Sequence, residues 1–367
     1  MKSKKSIFWI FICGAALGLP QLTSATEPDS WLTMSAAKEK PWQQNECETA
    51  APCTKTANSK PASKPEHTWL ESLLNYGGDH KGVPLPFHSI EGYSGGSITP
   101  MAYLCNHCQC SKCKTAKWKE CASGPSVAYS YMDTGSKDLH TVSIIQCIGG
   151  RVELGYAQNR MSLGSLYEDI RRLGLDPGRK HVYMHNFNAR VNLVQEGSFD
   201  CPWLPAITAG VHFKYNQDVD TINKNLGGAL SSIGYKTHYG IDYTLTATKM
   251  LIEPLSKRPV FLTGGIRWTK GAQMGLLGFG EHYNTFFEGS VAWYPTDWLI
   301  LGYELRMKES PYNKIPGLIG EEDNWHAFSA SVLIGKHITV SALYGLTGHV
   351  GNSSNDKTLG LQIKFEF

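Results

Sequence analysis

Residues 358–367 read TLGLQIKFEF, in which Leu361, Ile363, Phe365 and Phe367 share one parity while Gln362, Lys364 and Glu366 share the other. Side chains of a strand alternate between its two faces, so this run has one greasy face and one wet face. Taken alone, it fits a half-buried strand of a soluble sandwich as well as a strand of a membrane barrel. The chain upstream of it has to separate the two.

Working outward from that stretch, segments of about ten residues alternate in the same way back to Gly124, punctuated by turns. The pattern predicts strands over 125–132, 139–147, 151–159, 181–194, 206–216, 240–248, 259–269, 283–294, 298–308, 325–334, 337–346 and 358–367. That is about twelve, an even number within the range of single-chain outer-membrane barrels. The connections discriminate further. Alternate ones are short or medium, among them IGG, YPTD and GK, whereas the others include MSLGSLYEDIRRLGLDPGRK and QDVDTINKNLGGALSSIGYKTHY. Long alternates with short when one rim carries periplasmic turns and the other extracellular loops, and a sandwich has no reason to sort its loops by parity.

The faces agree. Tyr183, Phe187, Val191 and Leu193 oppose Asn186, Asn188, Arg190 and Asn192; on the next strand Val211 and Phe213 oppose His212 and Lys214. Asn186, Asn188, Arg190, His212 and Lys214, with Asp242, Arg267, Glu288, Glu304, Arg306, Lys364 and Glu366, are the expected pore lining. In a dry core each unpaired charge would cost several kcal/mol, so the polar side is read as a wet lumen. Trp293, Tyr294 and Trp298 flank a short turn, where an interfacial aromatic girdle belongs. Phe365 and Phe367 are expected to close the cylinder against the first strand, because a barrel leaves no free edge. An aromatic terminus after alternating apolar positions also resembles the signal read by the outer-membrane assembly machinery, with Gly360 displaced from its usual spacing.

The fold class is therefore all-β: an antiparallel up-and-down transmembrane β-barrel of about 12 strands over 124–367. The first 25 residues carry Lys2, Lys4 and Lys5, then an apolar run from Ile7 to Leu19, then Thr-Ser-Ala ending at Ala25, which is the grammar of a cleaved signal peptide. A lipoprotein reading at Cys13 is disfavoured by the bulk of Ile12. Residues 26–85 are polar and rich in Pro, Lys and Ser, and are expected to be a disordered, flexible periplasmic arm. Residues 86–123 are Gly- and Cys-rich, and read as a plug or an extra strand. Charged residues make up 18% of the 367-residue chain and the net charge is +3. With no basic run beyond the leader, nucleic acid is excluded as a partner.

The stretches GGSITPMAYL, PSVAYSYMDTGSKDLHTVS, LPAITAGVHFKYN, DYTLTATKM, QMGLLGFG and YPTDWLILGYELRMK resemble a Gram-negative family, domain-of-unknown-function family 3034. The resemblance runs from about Ile90 to Phe367. It implies an exported outer-membrane-type β-barrel and brings no catalytic residue with it. The CNHCQCSKCK insertion departs from the pattern.

Cys105, Cys108, Cys110 and Cys113 form C-x2-C-x-C-x2-C, a spacing that suits tetrahedral zinc. Export alters the expectation, because neighbouring thiols are oxidised in the periplasm, and disulfides are favoured over zinc. No other cofactor is expected. Of ten cysteines, Cys13 lies in the leader, which leaves nine. An outer-wall Ser/His hydrolase would have to use His140 with Ser143 or His326 with Ser329. Each pair is three apart and thus on opposite faces of a strand, so no catalytic residue is assigned and the chain is read as a non-enzyme. The helical spacing in LYEDIRRLG and DTINKNLGGALSSIG predicts loop helices that either sit on the outer rim or fold inward.

The expected function is a narrow channel or transport protein for small solutes in the outer membrane of a Gram-negative-type bacterium. The rival readings are a structural or binding barrel with a plugged lumen, and a lipid-acting enzyme.

Overall fold

The structure, a computed structural model, describes residues 84–105, 124–251, 258–315, 318–354 and 357–367. The expected leader and nearly all of the expected arm lie outside the described residues, as do Cys108, Cys110 and Cys113.

Twelve strands form one closed barrel. In chain order they are β1 (Ser126–Asp133), β2 (Asp138–Ile148), β3 (Val152–Ser162), β4 (His181–Val194), β5 (Ala206–Asn216) and β6 (Tyr239–Leu251). They continue as β7 (Val260–Gly271), β8 (Phe279–Trp293), β9 (Leu299–Arg306), β10 (Trp325–Ile334), β11 (Ile338–Leu346) and β12 (Thr358–Glu366). Every pairing is antiparallel between sequence neighbours, and β12 closes on β1 through Leu361↔Tyr131 and Phe365↔Val127. All twelve expected strands are present. β8 starts at Phe279, four residues before its expected start, because an irregularity between Phe279 and Asn284 lets the strand run on past a register shift.

The wall is inside-out relative to a soluble core. Leu361 and Ile363 are 62% and 53% exposed, while Gln362 and Lys364 between them are buried. Phe187, Val191, Leu193, Val142, Ile144 and Phe287 continue the exposed apolar belt. Such a contiguous apolar surface is what lipid covers. Adjacent strands also place Tyr–His pairs on this outer wall: Tyr129 with His140 at 2.7 Å, and Tyr156 with His185 and Tyr303 with His326 at 2.9 Å.

Three short helices ride on the long connections: α1 (Ser165–Arg172), α2 (Val219–Asn225) and α3 (Ala229–Ile233). They bury Leu166, Ile170, Val219, Ile222, Leu230 and Ile233 against Leu276, Leu277, Tyr235 and Tyr312. The same apolar cluster continues to Met132, Met161 and Trp325 of the wall and to Ile90 and Ile98. The helices pack on the other long connections through Leu276, Leu277, Tyr235 and Tyr312.

Candidate functional site

The lumen is filled by the chain itself. Every described residue from Pro84 to Cys105 is buried. The segment contains one small antiparallel pair, Phe87–His88 with Ser94–Gly95, and contributes no strand to the wall. Both of its ends lie at the short-connection rim. Pro84 O accepts from Tyr294 Oη at 2.7 Å, Lys364 Nζ donates to Leu85 O, and Cys105 packs on Cys147. Its middle reaches Ile90 and Ile98, which meet the apolar cluster near the other rim. The segment is thus a hairpin pushed into the barrel from the short-connection rim. Pro84 and Leu85, expected in the arm, belong to this inserted segment.

Two glycines permit the approach. Gly92 has φ +82°, and a Cβ there would sit 2.5 Å from the Cβ of Ala157 on β3. Gly96 passes so close to β9 that a Cβ would fall 2.2 Å from Glu304 Oε2. That closeness lets the Glu304 carboxylate accept from the backbone N–H of Ser97, Ile98 and Thr99 at 2.7, 2.9 and 2.8 Å, and from the hydroxyls of Ser97 and Thr99. Buried peptide donors need partners, and here one carboxylate supplies them to an entire turn.

At the centre sits Glu91. It pairs with Lys214 of β5, with Arg306 of β9 at 2.6 Å and with Arg267 of β7 at 3.4 Å. Wall carboxylates complete the cluster: Asp242 lies 2.6 Å from Lys214 and 3.2 Å from Arg267, and Glu288 lies 3.1 Å from Arg267 and 3.4 Å from Arg306. Three carboxylates face three cations, so the cluster is neutral. Tyr93 bridges it, accepting from Arg267 at 2.9 Å and Arg306 at 2.7 Å and donating to Glu91 at 2.6 Å. A second pair, Arg190 with Glu153 at 2.9 Å, clamps the Ser94 and Met101 carbonyls and the Ser94 hydroxyl.

The residues expected to line a pore are therefore brought to one interior, where they meet the plug. Asn188 donates to the carbonyls of Glu91 and Gly92, Asn186 to Asn159, and Asn159 to Ile90 O. His212 is held between Asn188 and Thr244 and packs on Tyr93, ring centroids 5.0 Å apart. Lys364 reaches Leu85 O and Glu366. Glu366 is the least enclosed of the set, at the rim.

The girdle expectation needs one correction. Trp293 and Trp298 are exposed on the outer wall, and so are Phe365 and Phe367, but Tyr294 is 1% exposed and points inward against Phe261. Trp293 and Tyr294 are consecutive, and consecutive residues of an extended chain face opposite ways. The Ser/His pairs are split as expected. His140 faces Tyr129 outside, whereas Ser143 is buried inside. Ser143 instead meets a histidine on the plug, His88, at 2.9 Å, and the other His88 nitrogen meets Ser126 at 2.8 Å. Among the described residues no group of three or more His, Cys, Asp or Glu is placed to hold a metal, and Cys105, Cys147 and Cys201 are free thiols.

Sequence reasoning passed over Glu91, Tyr93, His88 and Glu153. Only Glu153 had a local signal: a carboxylate at inward parity, directly across from Arg190 in the ladder.

The family profile described as "Protein of unknown function (DUF3034)" matches residues 86–364. The chain belongs to this family. The match takes in the plug as well as the barrel, so in the DUF3034 family the two are one unit of sequence. No curated protein matches the chain in sequence. Among solved structures, the DUF3034 chain is similar to the KdgM porin in complex with disordered oligogalacturonate, at 10% identity, covering 66% of this chain and 99% of that one, TM-score 0.40. It is also similar to the NanC porin, at 10% identity, 66% and 98% coverage and TM-score 0.38. A third is the outer membrane protein Omp33 of Acinetobacter baumannii, at 9% identity, 67% and 99% coverage and TM-score 0.36.

Proposed function

We propose that the protein is an outer-membrane channel for small solutes, held shut in its resting state by its own segment 84–105. The observation that carries this reading is Glu91: one carboxylate on the plug is paired with cations from β5, β7 and β9, which adds an electrostatic latch to the plug's apolar contacts with the wall. A permanent filler could be apolar at lower cost, since well-packed apolar groups often match or exceed a buried ion cluster in stability. A latch built of neutralised charges, by contrast, can be released into water, where each partner is resolvated.

The apolar outer wall supports a barrel set in lipid. In this reading residues 1–25 are removed on export, the stretch after them is periplasmic, and the assembly machinery recognises β12. Planar-bilayer recording tests the proposal: the full chain stays mostly silent, and a chain lacking 86–104 conducts. A deletion variant that keeps the heat-modifiable mobility of a folded barrel but remains silent would show that the plug is not the gate.

A further inference from the structure

Above the charged latch the interior changes character. Two cavities occupy the half of the barrel nearer the long loops. The first, about 50 Å³, lies between the plug tip and the wall and is lined by Ile90, Ile98, Met161, Trp325, Ala327 and Leu343, among others. The second, about 70 Å³, lies under the loop helices and is bounded by Leu166, Ile170, Val219, Ile222 and Leu318. Leu276 borders both. The turn just before it, Ala272–Gly275, holds Gln273 and Met274 at φ +46° and +62°, a strained backbone for side-chain-bearing residues.

Protein interiors are close-packed, with few voids larger than one water. A void of this size can hold water only if polar groups line it, at two to four bonds per water, and an apolar one stays dry and accepts apolar guests. Both cavities are walled almost wholly by carbon. Polar residues also border the first cavity, Lys137, Asp138 and Gln273 among them, and one buried polar group on a residue of its wall is unmet. Trp325 is 6% exposed, and its Nε1–H has no hydrogen-bond partner among the described residues. An unmet buried donor is destabilising, so it marks a place where an acceptor belongs.

We infer that these cavities form a binding site for a small, mostly apolar organic molecule bearing one hydrogen-bond acceptor, with Trp325 Nε1–H donating to that acceptor. The second cavity, under the loop helices, is the antechamber, and the strained turn at 272–275 is the partition between the two. This deepens the channel reading by naming the class of solute. It rests on that reading for the route of travel alone, and binding can be measured in detergent without any conductance.

The probes are cyclohexanone, which has one acceptor, and methylcyclohexane, which has none. The readout is the temperature at which full-length protein loses its heat-modifiable form, followed against probe concentration, since a ligand that binds only the folded state raises that temperature saturably. Wild type is expected to respond saturably to both, and to cyclohexanone at lower concentration. Trp325→Phe keeps the ring and removes the donor, so it should weaken cyclohexanone at least fivefold and leave methylcyclohexane unchanged. Ala327→Phe fills the first cavity and should abolish both responses. The inference is overturned if wild type shows no saturable response, or if both variants respond as wild type does, which is the result of probe dissolving in the micelle.

Discussion

Glu91 Oε2 of the plug lies 2.6 Å from Arg306 Nη2 of the wall, 215 residues away along the chain. This contact and its two companions fix a glycine-rich stretch inside the barrel by ion pairs to three strands of the wall.

The latch is neutral only while Glu91 is charged. Glu91→Gln leaves Lys214, Arg267 and Arg306 facing two carboxylates, and breaking a buried pair by removing one partner costs about 3–5 kcal/mol. The cheapest relief is departure of the plug and entry of water. Bilayer recording of Glu91→Gln is expected to show openings that wild type lacks, and Glu91→Gln with Lys214→Met, neutral again, is expected to be quiet. If the double variant conducts as often as the single one, charge balance is not what holds the plug.

Cys105, the last described residue of the plug, contacts Cys147 near the end of β2, and both are buried. In an oxidising compartment the two thiols are expected to pass two electrons and two protons to the disulfide of an exchange partner and become a Cys105–Cys147 cross-link. Peptide mapping of membrane-extracted protein without reductant should recover the linked pair, and reductant should raise the opening frequency. Recovery of both residues singly alkylated counts against the cross-link.

Closure depends on the last residues of β12. Phe365 lies between Ile338 and Val127, the Phe367 N–H donates to Pro125 O at 3.1 Å, and the rings of Phe365 and Phe367 meet edge to face at 4.7 Å. Deleting 365–367 removes ladder bonds on both sides of the seam. Heat-modifiable, membrane-inserted protein should be lost in that truncation, whereas Phe367→Ala should only reduce its yield. Normal insertion of the truncation would place closure elsewhere.

Lys137 offers a test by pH. It sits on the long-loop rim, its ammonium donating to Asn352 Oδ1 and Ser353 Oγ at 2.8 Å, and burial pushes its pKa down to about 8. An unfolded lysine titrates near about 10.4. Between those values the unfolded chain binds more protons than the folded one, so stability should rise with pH across that window, and at neutral pH the penalty of burying the charge is fully present. Thermal loss of the heat-modifiable form, measured at about pH 7.5 and 9.5, should show this rise in wild type and less of it in Lys137→Met. An identical rise in both would assign it to other groups.

The wall was legible residue by residue because a strand writes its two environments into adjacent positions: Gln362 in and Leu361 out is a local fact. Tyr294 shows the limit of that reading. It was grouped with Trp293 by composition, and parity alone would have turned it inward. The residues expected to line a pore take the buried side of the wall, the side that the alternation sets apart, yet what they face is not written near them. Glu91 finds Lys214 at a sequence separation of 123 and Arg267 at 176, and nothing around residue 91 encodes those partners.

Alternation, loop parity and an aromatic last strand thus determined the barrel from the sequence alone, because strand periodicity and lipid contact act on neighbouring residues. That the lumen is filled, that its charges cancel against a segment preceding the barrel, and that apolar space remains above them were decided only by tertiary structure. Ion pairing and packing depend on distances in space, and the chain brings those groups together only once the cylinder has closed.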